Sequence, residues 1–503
     1  MILCAANPIR NFCFHIPPFF IPEEKVLVFS LSGPFRIAAW YGRGPTDMYL
    51  DRFVNEMADL CETGFTYENT KLQVQIKAFI CDAPAVAIVK CIKSHSGFSG
   101  CGKCFVVGKT VENCRVFDNC AARLRNDDNF RRQVDNEHHR DFSPLLALPI
   151  DMVHSFPLDY MHLVLLGVLK RMCDVWKTGY VDGPQLFRPD GRKIIRRRKG
   201  KISQTAISAI DKALKKIARC RPSDFSRLCR NFSDCGSWKA TECRQFLLYI
   251  GIIVLKDFVE PEAFNLFLNL HVAIRILCCS QYLDMVNIAH ELLLNFVEKC
   301  ALVFGPNFKV YNVHNLIHLV EDVKRQGGPL DSFSAFPFEN HQALLCKLLR
   351  GTARTLQQLC KRIDELDNFD SKKKQLPTVI EAFDKWCDKP TCGLKGRQYR
   401  KLKFKDFIFS CTGENDSYMV LKDKTVIKAA NFVESSSGYY VIGQSFLSYE
   451  DFYDKPVKSS TVGISRVSGL TDSYYSWKIE DVKTKVYFIP VHDKAVCVEM
   501  LHA

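Results

Sequence analysis

The spacing of apolar residues changes character along the chain, and each change predicts a different element. Phe35-Arg-Ile-Ala-Ala-Trp-Tyr41 is short and rich in β-formers, so it reads as a strand. Between Asp47 and Cys61, the residues Met48, Leu50, Phe53, Val54, Met57 and Leu60 recur at helical spacing. Leu72 to Cys81 opens on a clean alternation (Leu72, Val74, Ile76) and predicts a second strand ending at Asp82. Strand, helix, strand, then an acid at the strand end describes an α/β unit with a polar site at its edge. Residues 1–34 carry scattered prolines and predict an irregular segment.

Helical spacing returns over Leu158 to Trp176 and is nearly continuous from Gln204 to Phe304. Phe264 to Leu283 is apolar on most faces, which marks a buried helix. Two more helices are expected within 308–366, separated by Gly327-Gly-Pro-Leu330, the second as a run from Leu344 to Leu359. Around Pro377–Gln398 the character changes. Beyond it lie short β-like runs, Lys405 to Cys411, Tyr418 to Leu421, Gly438 to Ile442 and Val486 to Pro490, with Ser, Gly and Asp turns between them. These predict a separate, mainly β C-terminal domain of roughly a hundred residues.

Composition narrows the class. A chain of 503 residues with 47% hydrophobic and 25% charged residues is ordinary globular material with room for two or three domains. Its 69 Lys and Arg against 55 Asp and Glu favour polyanionic partners, nucleic acid above all. No apolar run reaches the ~20 residues that span a bilayer, and no secretory pattern opens the chain. The 23 cysteines therefore read as reduced thiols and metal ligands of a cytosolic or nuclear protein with no membrane partner. Arg188, Arg192, Lys193, Arg196, Arg197, Arg198, Lys199 and Lys201 surround a single acid, Asp190. That loop reads as a DNA-phosphate contact, a solvated charged loop or a nuclear-import signal.

Four constellations could carry chemistry. Asp82, in Ile80-Cys-Asp-Ala-Pro84, is placed either to hold a divalent cation or to cap a helix. Cys101-Gly-Lys-Cys104 has the spacing of a zinc half-site. Its other half is either His314-Asn-Leu-Ile-His318, with imidazoles one helical turn apart, or Asp159-Tyr-Met-His162 at a helix start. Glu339, among three aromatics and a proline just before a helical run, is expected to be withdrawn from solvent, as a metal-binding acid or a first-turn charge. Two acids from distant segments are what two-metal phosphodiester cleavage requires.

The order and wording of these motifs resemble the animal CACTA (En/Spm) transposases of the CACTA–Mirage–Chapaev superfamily. The resemblance is carried by Cys81-Asp-Ala-Pro84, Gly97-Phe-Ser-Gly-Cys-Gly-Lys-Cys104, Ser155-Phe-Pro-Leu-Asp-Tyr-Met-His-Leu163, Trp238-Lys-Ala-Thr-Glu242, Tyr311-Asn-Val-His-Asn-Leu-Ile-His318 and Gly328-Pro-Leu-Asp-Ser-Phe-Ser-Ala-Phe-Pro-Phe-Glu-Asn340. It implies an α/β RNase H-like core with a large, mainly helical insertion, cut-and-paste DNA transposition, and a homo-oligomer acting in the nucleus on transposon ends. By position Asp82 is similar to the second catalytic acid and Glu339 to the third. The plan of the V(D)J recombinase core, which is similar, assigns structural Zn2+ to Cys101, Cys104, His314 and His318, and leaves Asp159 and His162 as alternative or supporting residues.

The same resemblance places a first acid on a strand upstream of Phe35. No aspartate precedes Asp47, so the expectation is a core incomplete at its N-terminus. The expected segments are an irregular 1–34, core 35–100, zinc knuckle and helical insertion 101–325, final core helix 326–370, linker 371–398 and β-rich domain 399–503. The expected function is a transposon-derived, DNA-binding protein with impaired catalysis, needing Mg2+ or Mn2+ only if active. An active transposase read from an incomplete gene and a zinc-stabilised interaction module are the alternatives.

Overall fold

The computed structural model describes residues 9–14, 35–41, 47–67, 69–181, 198–351, 354, 357–362, 365 and 380–501. The fold is mixed α/β, with a helical region and a C-terminal β-sheet domain. The chain forms two units. One comprises Met1–Val168, Pro184–Leu186 and Val297–Lys374; the other comprises Leu169–Gly183, Phe187–Phe296 and Gln375–Ala503.

In the first unit, β1 (Ile9–Phe14) pairs antiparallel with β2 (Phe35–Tyr41), Ile9 opposite Tyr41 and Phe14 opposite Phe35. The strand β1 corrects the expectation of an irregular 1–34: the prolines of that stretch all fall outside Ile9–Phe14, so none removes a ladder donor. Helix Asp47–Thr63 follows the apolar spacing, and its Leu50, Phe53 and Val54 share a buried core with Phe79, Phe130, Leu145 and Phe156.

The strand expected over Leu72 to Cys81 is not formed. Only Leu72 belongs to one, as the end of β4 (Thr70–Leu72), which pairs with β3 (Phe65–Tyr67). The alternation is real as burial, since Leu72, Val74 and Ile76 are half-buried and Gln73, Gln75 and Lys77 exposed. The segment is held by other means: the Phe79 N–H donates to the Ser155 carbonyl at 2.7 Å, and the Phe79 ring stacks on Phe156 with centroids 5.0 Å apart. A small ribbon, β5 (Lys109–Val111) with β6 (Cys114–Val116), follows the Cys-x-x-Cys turn.

The remaining helices of this unit include Met161–Leu169, wound as a π-helix, Tyr311–His314 running into Asn315–His318, and Leu319–Gln326, which ends at left-handed Gly327 (φ 66°). Another is Phe336–Leu348, which starts well before the expected Leu344 because Pro337 sits in its first turn, where a missing N–H costs nothing.

The second unit joins a helical part to the β domain. Helices Lys170–Thr178, Gln204–Ile217 and Pro261–Cys278 lie in its helical part, and Pro261–Cys278 is buried on most faces as its composition demands. Among the described residues the β domain has ten strands: β7 (Ile380–Trp386), β8 (Arg397–Phe404), β9 (Phe407–Ser410), β10 (Tyr418–Leu421), β11 (Val426–Ser435), β12 (Gly438–Asp451), β13 (Ile464–Leu470), β14 (Tyr475–Lys478), β15 (Val482–Val491) and β16 (Lys494–Glu499). Strand β7 occupies part of the stretch 371–398 read as a linker, whose positions 371–379 lie outside the described residues.

Strands β10, β11, β12, β13, β16 and β15 pair in that order, and β15 returns to β10, closing a six-stranded antiparallel ring. Closure is possible because β12 is long: its first half pairs with β11 and its second half with β13. The ring's core holds the stacked aromatics Tyr418, Phe446 and Phe488, with Val420, Val467 and Val486 around them. Closure removes sheet edges from the ring, leaving β14 on one side and the β7–β8–β9 extension on the other.

Two buried cations fasten helical part to ring. Arg275 donates to the carbonyls of Leu248, Val462 and Glu499 at 2.9, 3.0 and 3.2 Å. Lys485 is paired with both Asp224 and Asp416. Among the described residues, no helix is long and apolar enough to cross a membrane.

Candidate metal centre and acidic site

The Cys-x-x-Cys segment is a tight turn before the β5–β6 ribbon, and Arg125 holds its shape. The buried Arg125 donates from Nε to the carbonyls of Cys101 and Cys104 at 3.1 and 3.0 Å, and from Nη2 to Asp135 at 2.6 Å. One planar group thus satisfies two carbonyls of the turn. The turn thereby aims both thiols at the helix carrying His314 and His318.

Cys101, Cys104, His314 and His318 are all buried, and their ligand atoms all lie within 4.8 Å of one another. The two sulfurs are 3.6 Å apart, Cys104 Sγ is 3.3 Å from His314 Nε2, and Cys101 Sγ is 3.8 Å from His318 Nε2. A tetrahedral ion with bonds of about 2.3 Å to sulfur and about 2.0–2.1 Å to nitrogen sets ligand–ligand edges of roughly 3.3–3.8 Å. The cluster therefore fits a metal such as zinc. A metal there is structural in character, since the set is closed by four protein ligands.

The thiol chemistry agrees with that fit. Burial pushes the Cys101 thiol up, but hydrogen bonds from Cys104, His314 and His318 outweigh it and hold Cys101 well below the usual thiol range. Cys104, hydrogen-bonded to Cys101 and buried, is pushed far up. The Lys103 backbone N–H supports Cys101 Sγ at 3.4 Å.

Lys103 links the turn to its surroundings. Its ammonium is 2.5 Å from Asp322 Oδ1, both groups buried, and donates to the Val153 carbonyl at 3.3 Å. Asp322 Oδ2 accepts from the Leu158 N–H at 2.8 Å, one residue before Asp159. Asp159 is in turn saturated: Oδ1 accepts from Met161 and Ala335 N–H, and Oδ2 from the His162 N–H and from His162 Nδ1 at 2.6 Å. Asp159 and His162 thus stand outside the Cys/His cluster and act as a separate pair.

His162 Nε2 reaches Glu339 Oε1 at 3.1 Å. Burial lowers its pKa, but hydrogen bonds to Asp159 and Glu339 outweigh burial and bring it up to about 10. Glu339 is not withdrawn from solvent as expected: its side chain is 38% exposed. Pro337 starts the helix early and leaves Glu339 in the first turn, while Phe338 takes the inward position.

Asp82 caps the short helix Ala83–Val89, accepting from the Ala85 N–H at 2.7 Å, as the cap reading predicts. It also lines a cavity of about 50 Å³ with Asp159, His162, Lys90 and Lys103. Lys90 carries no motif signal and was not legible in the sequence. It is buried against the rings of Phe130 and Phe156 at 4.6 and 5.0 Å, and desolvation, then Lys103 and Arg125, bring it down to about 7.

Of the basic loop, Arg192, Lys193, Arg196 and Arg197 lie outside the described residues. Arg198 and Lys199 are exposed; Arg198 Nη1 donates to the Thr178 carbonyl at 2.9 Å, and the Lys199 backbone pairs with Tyr180.

Compared with known proteins, residues 385–500 match a family model described as Domain of unknown function (DUF8592). That stretch covers most of the β domain, from the end of β7 through β16. No curated protein and no solved structure matches the chain.

Proposed function

We propose that the chain is a transposon-derived, transposase-like protein of CACTA type that binds DNA through an RNase H-like core and is catalytically impaired as it stands. The observation that carries this reading is the shared site of Asp82, Asp159 and His162, with Glu339 joined to it through His162. Residues from three distant segments contribute to it, which supports the plan that the motif order implies. Zn2+ at Cys101, Cys104, His314 and His318 would brace the insertion against the core. The resemblance assigns Mg2+ or Mn2+ to Asp82, which lines the cavity, and to Glu339, which reaches that cavity through His162; the ion would supply positive charge to a phosphate oxygen. Asp159 is occupied by its four hydrogen bonds, so it positions His162 instead of completing a trio of metal-binding acids.

The test is Mn2+ titration of the full chain followed by electron paramagnetic resonance, beside a nicking assay on duplex DNA. The reading expects weak Mn2+ binding that disappears in Asp82→Asn with Glu339→Gln, and nicking no greater than in that double variant. Mn2+ binding indifferent to both substitutions would refute the acidic site. Nicking that depends on both acids would identify a complete transposase instead.

A further inference from the structure

Positive charge in the β domain is concentrated at one place. Residues 385–405 hold eight Lys or Arg against one acid, Asp388, whereas residues 406–503 hold ten against thirteen Asp or Glu. The basic stretch is the end of β7, the loop after it and β8, at one end of the sheet. It lies outside the closed ring, which is held by its own ladders.

Two cations there are organised around one indole. Trp386 donates from Nε1 to Asn431 Oδ1 at 2.8 Å, and Asn431, buried, donates onward to the Pro390 carbonyl and Gln398 Oε1 at 3.0 Å each. Its ring is thereby fixed to the sheet. Lys389 and Arg400 sit over it at 5.2 and 5.5 Å, both exposed. Two of the neighbouring cations are engaged within the sheet: Lys401 pairs with Asp384 at 3.0 Å, and Lys405 donates to the Val482 and Lys483 carbonyls. The bland reading of charge at a sheet edge is protection against edge-to-edge pairing. That role needs no aromatic anchor and no buried amide to hold it.

We infer that the β7–β8 ribbon is a docking surface for duplex DNA, with Lys389 and Arg400 contacting backbone phosphates and Trp386 positioning them. Charge complementarity selects a polyanion, and β7 is the terminal strand of the sheet order, so the cations beside it stand at the sheet's end. The inference is independent of the acidic site and adds a second DNA contact to the reading above.

The experiment uses the full chain and a fluorescein-labelled duplex of mixed sequence, read by anisotropy across a salt series. Lys389→Gln with Arg400→Gln is expected to weaken binding about tenfold at low salt and to flatten the slope of log affinity against log salt by about 2, since each lost phosphate contact removes about 1. A charge-matched control, Lys455→Gln with Lys458→Gln, uses two exposed lysines elsewhere in the domain and is expected to leave both quantities unchanged. Equal effects from the two pairs, or none from the first, would overturn the surface. Tighter binding to single-stranded RNA or polyglutamate than to duplex would overturn its assignment to DNA. Failure here leaves the Mn2+ result standing, and the reverse holds equally.

Discussion

His162 Nε2 and Glu339 Oε1 lie 3.1 Å apart, and the opposite nitrogen of the same ring lies 2.6 Å from Asp159. One imidazole therefore ties the start of the Met161–Leu169 helix to the first turn of the Phe336–Leu348 helix. The Asp159 carboxylate adds a direct tie by accepting the Ala335 N–H at 2.8 Å. Asp159→Ala removes both carboxylate oxygens, and the four hydrogen bonds they accept, from a buried place. We expect a loss of about 3 kcal/mol in urea unfolding, as for other broken buried networks. A loss below about 1 kcal/mol would show that the two helices are held by other contacts.

Arg125 predicts a link between the turn and its metal. Replacing it with Met leaves the Cys101 and Cys104 carbonyls and Asp135 without their donor. Affinity for zinc, measured by chelator competition, should fall about 10- to 100-fold, the usual effect of losing a supporting partner. Unchanged affinity would mean that the turn keeps its shape alone.

Lys90 gives a pH signature. Its folded pKa of about 7 lies below the ordinary lysine value because burial disfavours the charge. Between pH 7 and about 10 the unfolded chain binds the proton and the folded chain does not, so stability rises with pH over that window. Below pH 7 both states are protonated and the contribution is flat. Lys90→Met should raise stability at pH 6 by about 2 kcal/mol and remove the rise. A variant that is less stable at pH 6 would show that the Phe130 and Phe156 rings more than offset the desolvation.

Lys485 is fully buried between Asp224 and Asp416. Lys485→Met strands two carboxylates and should cost about 3–5 kcal/mol. Adding Asp224→Asn and Asp416→Asn should recover much of that loss. A single variant as stable as the wild type would contradict the fastening role.

What the sequence made legible was what depends on short spacing. Cys101 with Cys104, and His314 with His318, are local pairs whose geometry follows from one turn of chain, and their meeting is seen in the structure. The Asp47–Thr63 helix was legible because its apolar face has one period over its whole length. The strand Leu72 to Cys81 was misread because alternation reports a half-buried face and says nothing about whether a partner strand exists. The ring strand β11 escaped because a bulge between Ala429 and Asn431 breaks its period and because Asn431 puts a polar group inside. Lys90, Arg125 and Lys103 act through partners far along the chain, so no local pattern could reveal them.

The most direct measurement is the metal content of the purified full chain by mass spectrometry, beside that of Cys101→Ser with Cys104→Ser. One zinc per chain in the wild type, and none in the variant, is the predicted result. A folded wild type without stoichiometric metal would contradict it, because four buried ligands at these separations would then have no ion to hold.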